Sequence, residues 1–330
     1  MGAEVWAEAE RWSRRGPGVC VAFVTRTWGS SPRPVGSALV INEAGEFAGS
    51  VSGGCVEPSV VQAAPGVLRG EGPRRLEFGV STEEAWQAGL SCGGRLEICL
   101  QRLGPEACAL LAACERGARA RSGAVVTLDL GRGEVQILDI EGKGAQADAG
   151  RVALRRGTDV LIEDGDADHL LLVFAPPVRL FAVGAVHISQ ALAQLARGLA
   201  LDLTVVDPRA AFASHARFGE VRLQHGWPDE VLEAAELDAR SAVMTFSHDP
   251  KLDEPALQVA LASPAFYVGA LGSKRTHASR LERLRAAGVS EERLGRIHGP
   301  IGLDLGGRGP AEIALSALAQ MTSVFHGGSA

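Results

Sequence analysis

Between residues 178 and 325, short apolar runs of strand length alternate with helical segments, and most of the runs end in glycine or a polar residue. Val178 to Val183 runs into Gly184, then into a helix with Ile188, Leu192, Leu195, Ala196 and Leu199 on one face. Leu203 to Val206 ends in Asp207, Ala242 to Phe246 leads into Ser247-His248-Asp249, and Ala265 to Leu271 ends in Gly272-Ser273-Lys274. A last helix begins near Pro310, a residue suited to a first helical turn, and presents Ala314, Ala317, Leu318, Met321 and Phe325 inward. Repeated β-α units of this kind predict a parallel sheet with helices on both faces. Pro176-Pro177, a stiff pair that neither a helix nor a central strand accepts, marks where the pattern begins. A chain of 330 residues is long for one core. The expected organisation is therefore α/β, with a Rossmann-like doubly wound domain over 177–330 preceded by an α+β domain over 1–176.

The N-terminal half has a different rhythm. Val5, Trp6, Ala9 and Trp12 fall near one face of an opening helix that Gly16-Pro17-Gly18 stops. Strand-like runs follow at Val19 to Thr25, Ser37 to Asn42 and Phe47 to Val51, then at Arg74 to Phe78, Leu96 to Leu100, Ala124 to Leu130 and Glu134 to Asp139. Val56 to Ala64 and Pro105 to Arg121 read as helices between them. The spacing predicts a mostly antiparallel sheet.

Bulk properties exclude several functions. The net charge is −6 and no long Lys/Arg block occurs, which argues against a nucleic-acid groove. No apolar stretch approaches the roughly 20 residues of a membrane helix. Met1 to Arg15 lacks the apolar core of a signal peptide, so a cytoplasmic location is expected. Six cysteines without a C-x-x-C pair suit neither a disulfide scaffold nor a zinc site.

Four constellations could carry chemistry. Gly184-Ala185-Val186-His187 lies between strand and helix, with Asp207 at the end of the next strand. In a dinucleotide fold the first glycine makes the turn, the second admits the pyrophosphate, and the acid holds a ribose. Here the second position is Val186, whose branched side chain would crowd a pyrophosphate. Other strand ends carry Asp207-Pro208-Arg209, His248-Asp249 and Gly272-Ser273-Lys274-Arg275, where ligands of open α/β sheets sit, although N-caps and turns use the same residues. Ser52-Gly53-Gly54-Cys55-Val56-Glu57 and Ser91-Cys92-Gly93-Gly94 each place a thiol beside a glycine pair. A cysteine at a helix start can become a reactive thiolate, while a buried thiol is the plainer alternative. Trp28-Gly29-Ser30-Ser31-Pro32-Arg33 offers hydroxyls, amides and a guanidinium to an anion, or is a rigid turn.

In this order the motifs resemble the XdhC/CoxI family, the accessory proteins of xanthine dehydrogenase and related molybdenum hydroxylases. The resemblance runs through Gly29-Ser30-Ser31-Pro32-Arg33, Gly53-Gly54-Cys55-Val56-Glu57, Cys92-Gly93-Gly94, Asp207-Pro208-Arg209 and His248-Asp249. It continues through residues 269–275 and Pro300-Ile301-Gly302-Leu303-Asp304-Leu305-Gly306, so it spans nearly the whole chain. It departs at Val186, where the family has Gly-Ala-Gly-His. What the resemblance implies is a chaperone rather than a turnover enzyme. Such a protein binds the molybdenum cofactor (molybdopterin), supports its sulfuration by a cysteine desulfurase, and inserts it into a hydroxylase of the xanthine dehydrogenase or carbon monoxide dehydrogenase type. The cofactor site implied comprises Ser30, Ser31, Arg33, Gly53, Gly54, Cys55, Glu57, Cys92, Gly93 and Gly94 in the first half. In the second half it comprises Gly184, His187, Asp207, His248, Asp249, Gly272, Ser273 and Lys274. Cys55 and Cys92 would contact molybdenum or its sulfur. The rival reading is an NAD(P)-dependent oxidoreductase using the Rossmann domain, with Val186 against it; a homo-oligomer stays open.

Overall fold

The computed structural model describes residues 4–16, 18–29, 31, 33–79, 94–164, 167–199 and 201–327. The chain divides into two compact units, Met1–Pro176 and Pro177–Ala330.

In the first unit, α1 (Glu4–Ser13) leads to β1 (Val19–Trp28), β2 (Ala38–Ile41), β3 (Phe47–Gly49), α2 (Glu57–Leu68), β4 (Arg74–Phe78) and β5 (Arg95–Leu103). These strands form an antiparallel sheet in the order β3-β2-β1-β5-β4. Then come α3 (Pro105–Arg119), β6 (Ala124–Asp129), β7 (Val135–Ile137), α4 (Ala145–Arg156), β8 (Val160–Asp164) and β9 (Ala167–Phe174). They build a second antiparallel sheet, ordered β7-β6-β9-β8, where the sequence pattern suggests a single one.

Strand β1 shows why this unit needs two layers. Val19, Val21 and Phe23 point to a core shared with Val126, Leu128, Leu170 and Leu172 of the second sheet. Cys20, Ala22 and Val24 point the other way, into a core with Val60, Ala64 and Val67 of α2. Both faces of the strand are buried, so its sequence is continuously apolar rather than alternating. Trp6 of α1 is fully buried against Phe23 and Phe174, with ring centroids 6.1 and 6.3 Å apart.

The second unit contains β10 (Arg179–Val183), α5 (His187–Gly198), β11 (Asp202–Val206), α6 (His215–Phe218), β12 (Arg222–Gln224) and α7 (Pro228–Ala234). It continues with β13 (Ser241–Thr245), α8 (Pro250–Ala262), β14 (Tyr267–Ala270), α9 (Lys274–Ala286), α10 (Glu291–Leu294), β15 (Ile297–His298) and α11 (Pro310–Phe325). The sheet is parallel throughout and ordered β12-β11-β10-β13-β14-β15. Numbered within the unit this is 3-2-1-4-5-6, the doubly wound order whose switch point lies between β10 and β13. Separate apolar cores cover its two faces. The expected C-terminal architecture is thus present.

Among the described residues no helix is long and apolar enough to cross a membrane.

Candidate functional site

The glycine-cysteine loop of the first unit is organised by one carboxylate. Glu57 opens α2, is 6% exposed, and turns back into the loop that precedes it. Its Oε1 accepts from Ser50 Oγ (2.8 Å) and from the amides of Val51 (3.1 Å), Ser52 (2.9 Å) and Gly53 (3.2 Å). Its Oε2 accepts from Gly54 N at 2.9 Å and from the Ser52 hydroxyl. Burial alone would raise this carboxyl, but hydrogen bonds led by those from Ser52 overcome it and hold the group at about 2. Ser52 Oγ in turn accepts from Cys55 N (3.1 Å) and Val56 N (3.0 Å). For amides on one short loop to converge on a single carboxylate the chain must bend through the left-handed region. Gly53 (φ +87°) and Gly54 (φ +124°) do so.

The outcome is a rigid loop that lifts Cys55 into solvent as a free, exposed thiol. Burial pushes the other described thiols upward, Cys20 to about 12 and Cys99 and Cys108 to about 11, and so removes them from chemistry. Arg33 reaches the same loop, its Nε donating to Ser50 O at 3.4 Å, while Ser31 Oγ donates to Arg33 O at 2.8 Å. The structure therefore brings Arg33, Gly53, Gly54, Cys55 and Glu57 together. Glu57 acts inside the loop, since its oxygens are occupied by the loop's own donors. Ser30, Cys92 and Gly93 lie outside the described residues, and Gly94 is a half-buried residue just before β5.

In the second unit the predicted residues gather at the carboxyl ends of β10, β11, β13 and β14. Gly184 packs so closely on the segment that follows β13 that a Cβ there would stand 2.8 Å from Ser247 N. Asp207 is fully buried, and its acceptors are engaged. Oδ2 takes Ala185 N (2.8 Å) and Arg209 Nη2 (2.7 Å), and Oδ1 takes Arg209 N (2.9 Å) and Nε (2.8 Å). Burial opposes ionisation here too, but the Arg209 and Ala185 bonds win and lower its pKa. The expected ribose acceptor thus ties the β10 turn to the β11 turn. Val186 precedes α5 in extended conformation, without a side-chain cap. His187 is exposed and pairs with Gln190 Oε1 at 3.1 Å.

His248 is exposed and held at φ +61°, an uncommon conformation for a non-glycine residue. Asp249 and Ser273 serve as N-caps, accepting from Lys251 N (3.0 Å) and Thr276 N (3.1 Å), the plainer of the two readings their sequence allowed. Gly272 precedes Ser273, and Lys274 extends beside a cavity of about 420 Å³ walled by the loop of residues 300–307 and Ile313. Beneath Ser247 lies a pair the sequence did not flag, Asp253 (2% exposed) and Arg280 (4% exposed), 4.0 Å apart. Asp253 Oδ1 fixes Ser247 Oγ at 2.7 Å, and Arg280 Nη2 donates to Leu271 O at 2.7 Å. Their side chains come from helix interiors, where sequence shows only an ordinary charged face. Among the described residues no group of three or more His, Cys, Asp or Glu could hold a metal ion.

This geometry meets known proteins over its whole length. Residues 12–79 match the description "XdhC and CoxI family", and residues 180–321 match "XdhC Rossmann domain". The chain is 29% identical over 310 residues to the molybdenum cofactor insertion chaperone PaoD of Escherichia coli (strain K12), covering 94% of this chain and 84% of that one. It is 23% identical over 318 residues to a protein of Bacillus subtilis (strain 168) named as a probable xanthine dehydrogenase subunit, covering 91% of each. A crystal structure described as a xanthine dehydrogenase from Bacillus halodurans shares the fold, with a TM-score of 0.74 at 21% identity over 100% of this chain and 97% of that one. With both halves matched in family order, the chain belongs to the XdhC/CoxI family.

Proposed function

We propose that this protein carries the molybdenum cofactor to a molybdenum hydroxylase of the xanthine dehydrogenase or carbon monoxide dehydrogenase type. It acts as a maturation factor and not as a turnover enzyme. The observation that carries this reading is the exposed Cys55 thiol on a loop that Glu57 holds in shape. A soft thiolate is a suitable ligand for molybdenum or its sulfur, and a fixed loop keeps it presented without a metal to organise it. The relative named for cofactor insertion supports the same reading. In this scheme Arg33 takes the anionic end of the cargo, and a cysteine desulfurase supplies sulfur while the cargo is held. Cys92, with its own glycine pair, is the second thiol of the proposal.

An NAD(P)-dependent oxidoreductase has less support. The acid it needs, Asp207, already accepts four hydrogen bonds, and Val186 stands where the pyrophosphate would approach.

The test is to purify the full chain from cells that make the cofactor and assay released pterin and molybdenum. The expected result is co-purification that falls about 10-fold in Cys55→Ala, the scale on which losing one positioned ligand acts. Absence of both from the wild-type protein, with unchanged maturation of the partner hydroxylase in Cys55→Ala, overturns the proposal.

A further inference from the structure

The loop between β15 and α11, residues 299–309, combines a fixed backbone with an exposed apolar tip. Ile301 N donates to Ala270 O (3.1 Å) and Leu303 N to Ser316 O (3.3 Å). Gly302 N and the Tyr267 hydroxyl share Gln320 Oε1, at 2.9 and 2.7 Å. Gly302 (φ +96°) packs so close to α11 that a Cβ there would stand 3.1 Å from Ala317 N. Glu312 Oε2 holds the far end, accepting from Arg308 N (3.0 Å) and Gly309 N (2.8 Å). At the tip, Leu305 is 56% exposed while lining the cavity of about 420 Å³ beside Lys274. An apolar side chain on a fixed loop gains nothing from water, but loses little freedom when a partner covers it. The charges around it are one-sided. Lys274 and Arg275 stand exposed on the first turn of α9 and Arg308 on the loop, and none meets an acceptor among the described residues. The acids nearby are engaged: Glu312 offsets the N-terminal pole of α11, and Asp304 Oδ1 takes Gly306 N at 3.3 Å. An apolar centre inside a charged rim is the anatomy of an interface, and here the rim is basic on a chain of net charge −6.

We infer that this lip of the second unit is a docking surface for a protein partner with an acidic face, one of whose apolar side chains enters the cavity beside Leu305. Charge complementarity sets the sign of the partner, and the leucine sets its class, since a nucleic acid has no apolar side chain to place there. The basic rim steers the encounter and the apolar centre sets how long the complex lasts. The inference rests on the carrier reading and deepens it, because a carrier must touch the hydroxylase that receives its cargo. Leu305, Arg275 and Arg308 take no part in holding that cargo, so docking and carriage can be broken separately.

The decisive measurement is the association and dissociation of the full chain on purified, cofactor-free hydroxylase, followed by surface plasmon resonance at low and at physiological salt. Wild type is expected to bind with an association rate that falls as salt rises. Arg275→Glu with Arg308→Glu is expected to slow association about 10-fold and to remove most of that salt dependence. Leu305→Ser is expected to speed dissociation about 10-fold, the scale of losing one interface anchor, with association little changed. All three side chains are exposed, so the variants should keep the wild-type denaturant midpoint and co-purify with as much pterin and molybdenum as wild type. Leu199→Ser is the control, a leucine of similar exposure (51%) at the far end of α5, and should bind as wild type does. Variants that bind like wild type, or a wild type that does not bind, overturn the docking surface. So does an effect of the charges alone with Leu305→Ser unchanged, which would mark a general attraction for polyanions. A change of oligomeric state in Leu305→Ser, read by light scattering, would assign the face to a second copy and overturn it as well. In each of these cases the carrier reading stands if wild type still carries pterin and molybdenum, and falls only if it carries neither.

Discussion

The loop at residues 50–57 and the turn at residues 184–189 look alike in sequence, each a glycine-bearing bend before a helix with an acid in reach. In both, the acid is buried, ionised and consumed by the protein's own donors. They differ in where the acid comes from. Glu57 lies on the helix that the loop introduces and gathers amides from residues 51–54, so the loop is self-contained and its tip, Cys55, stays free. Asp207 comes from the next strand and binds Ala185 N together with Arg209, so it clamps two turns and withdraws from the crevice. A carboxylate beside a glycine turn is thus a ligand only if the turn does not need it. The first unit has built a presentation loop; the second has closed a turn.

Glu57→Ala breaks the first half of that contrast and should have the largest effect. Removing an acceptor shared by four loop amides, two of them on buried residues, and two hydroxyls costs about 3 kcal/mol, with faster hydrogen exchange at residues 51–54. Cys55 should lose its fixed presentation, read as a loss of pterin co-purification as complete as in Cys55→Ala. Acid tests the same group. The folded carboxyl titrates at about 2 against an ordinary 4.5, so its stabilisation is complete above about 4.5 and drains away as pH falls toward 2. The acid-induced loss over that window should shrink in Glu57→Ala, measured by denaturant midpoints at each pH. An unchanged acid profile would mean that the loop does not depend on this carboxylate.

Asp207→Ala is the matched variant in the second unit, with a smaller expected effect of about 2 kcal/mol, because fewer groups lose a partner. Arg209 keeps a stacking contact with Phe212, its guanidinium carbon 4.5 Å from the ring centroid. Exchange should accelerate at residues 184–189 and 209, while alkylation of Cys55 proceeds at the wild-type rate. A change at Cys55 would show that the two turns are coupled, and the contrast would have to be redrawn.

How much of this was legible beforehand depended on the range of the interactions. The β-α alternation after Pro177 and the runs of β1 and β5 announce themselves because each burial pattern is local. Helix α4 did not, since Gly150 sits mid-helix and weakens the signal. It is tolerated there because Leu138 packs so close that a Cβ would lie 2.7 Å from its Cδ2. Gly157-Thr158-Asp159 reads as an ordinary surface turn, and only the distant Gly36 and Val173 make Asp159 a recessed acid. Glu57 stands out in its glycine-cysteine motif, but its part in holding the loop is not legible there. Nothing in Gly53-Gly54-Cys55-Val56-Glu57 says that the acid faces back into the loop. Asp253 and Arg280 are hidden for a similar reason, because they sit far apart in sequence on α8 and α9 and meet only once those helices pack.

Val186→Gly offers the smallest effect and the sharpest test of the second turn. Val186 has extended backbone (φ −100°, ψ 178°) that glycine adopts freely, and its side chain packs only partly on the core, so the cost in stability should be about 1 kcal/mol. The substitution recreates the glycine spacing of a dinucleotide turn. If the branched side chain were the only obstacle, NADH or NADPH would then bind saturably in a fluorescence titration. The expected result is a flat titration, because Asp207 remains committed to Ala185 N and Arg209 and has no acceptor to offer a ribose. Adding Arg209→Ala to Val186→Gly releases the two side-chain bonds among those four, and any gain in nucleotide binding should appear only in that double variant. Saturable binding by Val186→Gly alone would place the barrier in one side chain rather than in the clamp, and the second turn would then be an occluded dinucleotide site instead of a closed one.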